Sequence, residues 1–316
     1  DVAAMHLARS PGSFPFSKVA SGSVVTIGAF DGLHLGHQRL LDRVCEEASV
    51  RQCPSVVMSF EPMPKEYFSA SNPPARLTRF RQKYQALDRM GIDIFYCPNF
   101  NPAMRNIAAD AFIRQQLVHT LNTRHLVIGD DFAFARNREG NLSHLQRAGT
   151  AMNFDVEQVS SVIIGTNRVS STAIRNALRS GDMAFAKRLL GKFYRMSGKV
   201  NSQHGEHGSD QLILVARQRR PVAVQGVFAV KVGDRRDNWF DAVAHVGALE
   251  SGGDRRSDFS LYVSKLDQGL LGEYVDIEFV ARLSNEEQFE SGAEIRDHLA
   301  ACVHEANAAL AASEIQ

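Results

Sequence analysis

The first half of the chain alternates short apolar runs with longer stretches in which apolar residues recur every three or four positions. Such runs predict buried strands, and the stretches between them predict amphipathic helices. The predicted strands are Val24–Phe30, Pro54–Phe60, Ile92–Cys97, His125–Ile128 and Phe154–Val159, and the predicted helices are Gln38–Ser49, Arg79–Met90, Ala108–Leu121, Gly140–Met152, Thr172–Arg179 and Met183–Leu190. Repetition of strand and helix predicts an α/β domain, a doubly wound parallel sheet covered on both faces.

The pattern changes after Tyr194, where strand-like runs follow one another directly and are separated by turns rich in Gly and Asp. These runs predict an antiparallel β-barrel, closed by a C-terminal helix at Glu294–Leu310. The predicted strands are Arg195–Val200, Gln211–Ala216, Val222–Val232, Ala242–Gly247, Phe259–Val263 and Tyr274–Ala281. We therefore predict one domain over residues 1–191 and a second over residues 192–316.

Composition narrows the range of partners. The 36 Lys and Arg residues balance 35 Asp and Glu residues, so no net field favours nucleic acid as a partner. No apolar segment approaches the length of a bilayer span, no secretory signal is recognisable, and the four cysteines lack the close spacing of a zinc site. These features predict a cytoplasmic protein that binds small molecules and no membrane, and they leave the oligomeric state open.

The stretch Val24–Leu41, VVTIGAFDGLHLGHQRLL, carries the first candidate chemistry. A helix that starts after a buried strand offers unpaired N–H groups and the positive end of its dipole to an anion. Gly32 and Gly36 allow the backbone to approach a ligand, and His34 and His37 can donate hydrogen bonds to phosphate oxygens. Surface histidines at a helix start are the alternative, and a zinc site is less favoured because no third ligand is evident.

A second candidate anion site follows at Ser170, Ser171 and Thr172. These residues can cap a helix and offer hydroxyl and N–H donors, and Arg175 projects one turn later. A simple helix cap is the alternative for these three residues alone. Together with the histidine turn, these residues favour a second anion site over a simple cap.

The HxGH element His34–His37 resembles the nucleotidyltransferase superfamily, and the fuller form GAFDGLHLGH resembles its bacterial FAD synthetase branch. The order and spacing of further segments are similar to that branch from about Val24 to Gly191. These segments are FEPMPKEYF (Phe60–Phe68), GDDFAFARNREG (Gly129–Gly140) and VSSTAIRNAL (Val169–Leu178). The chain departs from the family pattern at Met63, where His is usual, and at Ala133 and Ala135, where Arg and Gly are usual.

The resemblance implies attack of the FMN phosphate on the α-phosphate of ATP, giving FAD and pyrophosphate, with Mg2+ held mostly through phosphates. It implies that His34 and His37 contact the α- and β-phosphates, and that Arg175 contacts the β- and γ-phosphates. The implied ATP-binding residues are Gly28, Phe30, Asp31, Gly32, Gly36, Ser170, Ser171 and Thr172, and the implied flavin- or nucleotide-side residues are Asp131, Phe132 and Arg138. A turn-forming role for Asp31 and a core role for Phe132 are equally compatible with the sequence.

The second half resembles the riboflavin kinase domain of the same family in its segments YRMSGKV, GVFAVKV and GLLGEYVDIEFVARLSNEEQF. Where the family carries GxPTAN, this chain has NSQHGEHGSDQLILVA, and Ser260 stands where the family places its catalytic Glu. A hydroxyl without a base partner is a poor proton acceptor, so we predict a kinase-like fold without kinase activity. Retention of both activities and a non-catalytic flavin-binding or regulatory role are the alternatives.

Overall fold

The computed structural model describes residues 4–204, 210–218, 221–248, 257–264, 269–285, 289 and 292–314. The chain divides into two compact units. The first comprises Asp1–Pro74 and Arg79–Val169, and the second comprises Ala75–Thr78 and Ser170–Gln316. The boundary between residues 191 and 192 remains a prediction about the functional domains.

The first unit is built on a six-stranded parallel sheet in the order β1-β4-β3-β2-β5-β6. The strands are β1 (His6–Ala8), β2 (Ser23–Ile27), β3 (Ser55–Met58), β4 (Ile94–Tyr96), β5 (Thr123–Gly129) and β6 (Asp155–Val159), followed by a small hairpin of β7 (Ile163–Ile164) and β8 (Asn167–Arg168). The predicted doubly wound sheet is confirmed. The sequence pattern missed β1 because its three residues are too few to show a period.

Helices connect these strands, in agreement with the predicted alternation. They are α1 (Leu35–Arg51), α2 (Pro64–Phe68), α3 (Phe80–Arg89), α4 (Pro102–Arg105), α5 (Ala109–Phe112) and α6 (Leu142–Met152). The prediction was wrong in several details, and it did not include the short helices α2 and α4. Helix α1 begins three residues before Gln38, and the predicted helix Ala108–Leu121 continues after α5 as a π-helix, Ile113–Thr120.

Successive residues of the central strands point into two separate apolar layers, as alternation along a strand requires. In β2, Val25 and Ile27 belong to the layer that includes the π-helix, whereas Val24 packs against α1. Both layers are buried, so the sheet is covered on its two faces. At its carboxyl end, β2 leads directly into the turn that precedes α1.

A polar network ties α1 to β5 and β6. The Arg43 guanidinium donates to Glu157 over 2.7 Å and also pairs with Glu47, and His125 Nε2 lies 3.0 Å from Glu157. Arg51 donates to Glu47 and to His125 Nδ1, at 3.1 and 3.0 Å. His125 accepts that bond at Nδ1, so its ring donates from Nε2 to the carboxylate of Glu157.

The second unit begins with α7 (Ser171–Ser180) and α8 (Met183–Leu190) and continues as a closed antiparallel barrel. The barrel order is β10-β13-β12-β11-β14-β9, from strands β9 (Tyr194–His204), β10 (Gln211–Gln218), β11 (Gly226–Gly233), β12 (Trp239–Ala248), β13 (Ser257–Val263) and β14 (Tyr274–Ser284). The predicted barrel is confirmed. Its C-terminal helix is two helices, α9 (Gly292–Ala301) and α10 (Val303–Glu314), which meet at Cys302.

A cluster of apolar residues joins the barrel wall to these last two helices. Leu299 of α9 and Leu310 of α10 are buried against Val227, Val243 and neighbouring barrel residues. Within the described part of the chain, no helix combines the length and the apolar character that crossing a membrane requires.

Replacing Glu157 with Gln is expected to lower the free energy of unfolding near neutral pH by about 1 kcal/mol, a value typical of a partly exposed ion pair. The hydrogen bond from Arg43, with a smaller one from His125, holds the pKa of Glu157 below its ordinary 4.5. A carboxylate of this kind stabilises the fold above its unfolded pKa, and that contribution is lost as pH falls through the folded pKa. Urea unfolding at several pH values measures the difference between variant and wild type.

The control is Glu46→Gln, which removes an exposed carboxylate that pairs with the same arginine at 3.2 Å. We expect this control to change stability by less than about 0.5 kcal/mol. A deficit in Glu157→Gln that is as large at acid pH as at neutral pH would contradict the assignment.

Candidate active site

The turn between β2 and α1 has an unusual backbone. Phe30 and Leu33 lie in the left-handed region, with φ of 48° and 45°, and Gly32 between them has φ of 92°. Left-handed conformations of bulky residues are costly and persist only where the surroundings enforce them. Here both side chains are buried, and Phe30 packs its ring against Gly28, where a Cβ would lie 3.1 Å from ring carbons. This packing explains why position 28 is glycine.

His34 is the N-cap residue of α1, and its ring takes the place of the usual hydroxyl or carboxylate. His34 Nδ1 accepts a hydrogen bond from the His37 N–H over 3.2 Å. A nitrogen that accepts carries no proton, so the neutral His34 ring bears its hydrogen on Nε2. The capping bond therefore decides which atom of His34 can donate to a ligand.

The two imidazoles stack, with ring centroids 3.6 Å apart and ring planes 13° from parallel. Gly36 makes this possible, because a Cβ there would lie 3.2 Å from His34 Nδ1. On its other side, His37 packs against the Phe30 ring at 5.2 Å. We define the histidine corner as Phe30, Asp31, Gly32, His34, Gly36 and His37.

Burial keeps both imidazoles of the histidine corner uncharged at neutral pH. Burial lowers the pKa of His34 from 6.5 to about 4. Burial also lowers the pKa of His37 well below 6.5, and electrostatic repulsion from protonated His34 and from Lys83 lowers it further. The buried Nδ1 of His37 has no hydrogen-bond partner among the residues that the structure describes. A buried polar atom without a partner marks a place where a ligand can bind.

Sequence reasoning missed two basic residues of this region. Lys83 of α3 is buried, and its Nζ donates to the Ala29 carbonyl oxygen over 2.6 Å. Arg168 pairs with Asp130 and Asp131, at 2.7 and 3.3 Å, and its charge acts on the pKa of His34. The available signal for Lys83 was a lysine on the apolar face of a helix, at helical spacing from Phe80 and Leu87.

The segment Gly129–Gly140 places Asp131 and Arg138 together and separates them from Phe132. Arg138 donates to the Asp131 carbonyl oxygen at 3.5 Å, and both side chains are exposed. Phe132 stacks on Phe134 at 5.7 Å and packs against the apolar layer next to the π-helix. These contacts agree with the core role that the sequence allowed for Phe132.

The departures Ala135 and Met63 occupy constrained positions. Ala135 has φ of 66° and ψ of −173°, a region that only glycine adopts easily. Met63 is buried at the start of α2, and its N–H donates to Glu66 over 3.1 Å. A thioether can be buried at this position without a polar partner.

In the second unit, Ser170 caps α7, because its hydroxyl accepts a hydrogen bond from the Ala173 N–H at 3.1 Å. Ser171 and Thr172 occupy the first two helical positions, at the positive end of the helix dipole. The Arg175 Nε donates to the Ala75 carbonyl oxygen over 2.6 Å, which fixes its guanidinium. Anion binding at the start of α7 stays a prediction.

The second unit also places the position that replaces the family's catalytic Glu. Ser260 is buried in β13, opposite Leu214 of β10 and His245 of β12. Part of the segment that replaces GxPTAN, residues 205–209, lies outside the described residues. Ser260 therefore places a hydroxyl group, and no carboxylate, at this position in the wall of the barrel.

One group of described residues has metal-ligand spacing: the candidate ligand atoms of Glu47, His125 and Glu157 all lie within 4.8 Å of one another. Arg43 and Arg51 already donate to these side chains, so a cation would have to displace two guanidinium groups. The histidine corner offers two imidazoles and one buried carboxylate, that of Asp31, whereas Mg2+ prefers several oxygen ligands. A magnesium ion would therefore fit here mostly through the oxygens of a bound phosphate.

Comparisons with known proteins place both halves of the chain. A family model described as FAD synthetase matches residues 16–173, and one described as riboflavin kinase matches residues 190–310. A bifunctional riboflavin kinase/FMN adenylyltransferase from Haemophilus influenzae is 37% identical over 281 residues, covering 87% of this chain and 90% of the relative. The protein of the same name from Escherichia coli K12 is 35% identical over 283 residues, covering 88% of this chain and 90% of the relative.

A solved structure supports the fold. The crystal structure titled macrolide-efflux protein from Streptococcus pneumoniae is similar with a TM-score of 0.76, at 23% identity, over 96% of this chain and 98% of that one. At this level of identity the likeness concerns the fold alone.

Replacing Ala135 with Gly is expected to stabilise the chain by about 1 kcal/mol, because it removes the cost of a side chain at this φ and ψ. The matched control is Ala133→Gly in the same segment, where the backbone is not left-handed. The control should lower stability by up to about 1 kcal/mol, because glycine gains freedom in the unfolded chain. Thermal unfolding measures both, and a loss of stability in Ala135→Gly would contradict the explanation.

Proposed function

Because the chain belongs to the family of bifunctional riboflavin kinase/FMN adenylyltransferases, we propose that it transfers AMP from ATP to FMN, giving FAD and pyrophosphate. The observation that carries this proposal is the histidine corner, in which two stacked, neutral imidazoles stand at the start of a helix. The matched residues 16–173 include this corner and the beginning of α7. The coarser conclusion, an enzyme of flavin cofactor synthesis, rests on the family itself.

The reaction requires positioning and charge stabilisation and no general base. The nucleophile, the FMN phosphate, is already an anion, so no proton has to be removed from it. His34 Nε2–H and the His37 ring would donate to the α- and β-phosphates of ATP, together with the positive end of the α1 dipole. Donors fixed by a cap and by stacking need little reorganisation as charge develops in the transition state.

Other residues have supporting roles in the proposal. Arg175 would bind the β- and γ-phosphates and Ser171 and Thr172 the triphosphate, while the Ser170 hydroxyl is used in the cap of α7. Asp131 and Arg138 are proposed for the flavin or nucleotide side, because both are exposed and joined by a hydrogen bond. Mg2+, carried by the phosphates, would supply further charge neutralisation when bound.

Riboflavin phosphorylation by the barrel is the second candidate function. The comparisons favour this two-activity alternative over the single activity that the sequence predicted, since the riboflavin kinase model matches residues 190–310 and the relatives carry both activities in their names. Ser260 and the missing GxPTAN segment are the features of this chain that oppose it. A non-catalytic flavin-binding role has no specific observation in its favour.

Replacing His37 with Ala is expected to reduce the turnover number for FAD formation by two or more orders of magnitude, the usual cost of losing a preorganised donor. His37→Asn, which keeps a polar group in the same space, separates loss of the donor from loss of packing. The control His304→Ala removes an exposed histidine of α10 and should leave turnover unchanged. Near-normal FAD formation by folded His37→Ala would remove the histidine corner from the mechanism.

Two incubations of the purified chain, with flavins separated by chromatography, distinguish the candidates. FMN with ATP and Mg2+ is expected to yield FAD and pyrophosphate. Riboflavin with ATP and Mg2+ yields FMN, and then FAD, if the barrel is a kinase, and yields neither if adenylyl transfer is the single activity. No FAD from FMN in the first incubation would refute the main proposal.

A further inference from the structure

Lys83 is a buried cation for which neither the sequence motifs nor the proposed reaction accounts. It is 3% exposed and lies in α3, with Phe80 and Leu87 on the same face of that helix. Burial of an ammonium group costs several kcal/mol unless polar partners compensate. An alkyl side chain at this position would avoid that cost, so the retained charge requires an explanation.

The ammonium group of Lys83 binds the backbone at the entry to the histidine corner. Its Nζ lies 2.6 Å from the carbonyl oxygen of Ala29, and the Ser59 hydroxyl reaches the same oxygen at 3.5 Å. Ala29 directly precedes Phe30, the first left-handed residue of the turn, and the Phe30 ring packs against His37 at 5.2 Å. A continuous path of contacts therefore runs from Lys83 through Ala29 and Phe30 to His37.

The charge of Lys83 also acts on His37 directly. Among the described residues, the His34 imidazole stacks on the His37 ring and the uncharged Phe30 ring packs against it. The charge of Lys83 lowers the pKa of His37, after burial and His34. A bound phosphate would raise the proton affinity of His37, because an anion stabilises imidazolium. A positive charge on Lys83 opposes this rise in the proton affinity of His37 and also attracts the phosphate.

We propose that Lys83 is a positioning residue of the histidine corner, which fixes through Ala29 the turn that orients His37 and whose positive charge acts on the His37 ring. The expected effect of Lys83 on kinetics rests on the proposed adenylyl transfer. The expected effect on the turn and on His37 rests on the contacts of the first unit alone. Lys83 acts through Ala29 and His37 and does not itself contact the reacting atoms.

The test compares Lys83→Met and Lys83→Arg in the full chain. Lys83→Met keeps the length of the side chain and removes both the donor and the charge. We expect it to lower kcat/KM for ATP at least ten-fold, which corresponds to about 1.4 kcal/mol. Lys83→Arg keeps a charged donor and is expected to recover most of that loss. Arg89→Met is the matched control, because it removes one positive charge from an exposed position of the same helix and should leave kcat/KM within two-fold.

The second measurement follows the ring nitrogens of His37 by NMR in the same variants, without substrate. Lys83→Met is expected to raise the pKa of His37, because a positive charge near the ring has been removed, while Lys83→Arg and Arg89→Met leave it unchanged. A purely structural role for Lys83 would change thermal stability but would not produce this pattern. If Lys83→Met fails to fold, Lys83→Gln, which retains an N–H donor without charge, serves the same comparison.

The outcomes separate this proposal from the proposed function. A folded Lys83→Met with unchanged kcat/KM and an unchanged His37 titration would overturn the role of Lys83. If the wild-type chain makes no FAD, the proposed function fails, and the His37 titration with the thermal stability of the variants still decides whether Lys83 controls the corner.

Discussion

The hydrogen bond from the His37 N–H to His34 Nδ1 is the interaction on which the candidate active site depends. It closes the first turn of α1, selects the Nε2–H form of His34, and holds the two rings at stacking distance. The left-handed residues Phe30 and Leu33 turn the backbone so that this hydrogen bond can form, and Gly36 leaves room for the His34 ring. A serine or aspartate cap would satisfy the helix equally well but would present no second donor to a ligand.

Much of the fold could be predicted from the sequence, because buried parallel strands and amphipathic helices have different apolar periods. Element ends were less predictable. The capping imidazole of His34 gave no recognisable start signal, so α1 begins before the predicted Gln38. The π-helix after α5 has the same apolar spacing as an α-helix over so few residues, and β1 becomes a strand only through its pairing with β4.

The candidate site was predictable in its residues but not in its charge state. The motif spacing identified His34 and His37, whereas their neutral form follows from burial, a property of the whole first unit. Lys83 and Arg168 lie far from the motif in sequence, and only the fold of the first unit brings them into this region. The sequence showed that Ala135 stands where the family usually has Gly. Only the backbone angles show that an alanine is strained at this position.

The closed barrel of the second unit bears on how such a module evolves. A ring of strands in which each is paired on both sides exposes no edge to which another chain could add, so the module resists aggregation by virtue of its topology. Its core contains buried residues such as Phe228 and Phe279, and Ile213 and Val215 from the segment that replaces GxPTAN are also buried in it. A substitution that removes a catalytic group from this segment can therefore leave its buried apolar residues, and with them the closed ring of strands, in place.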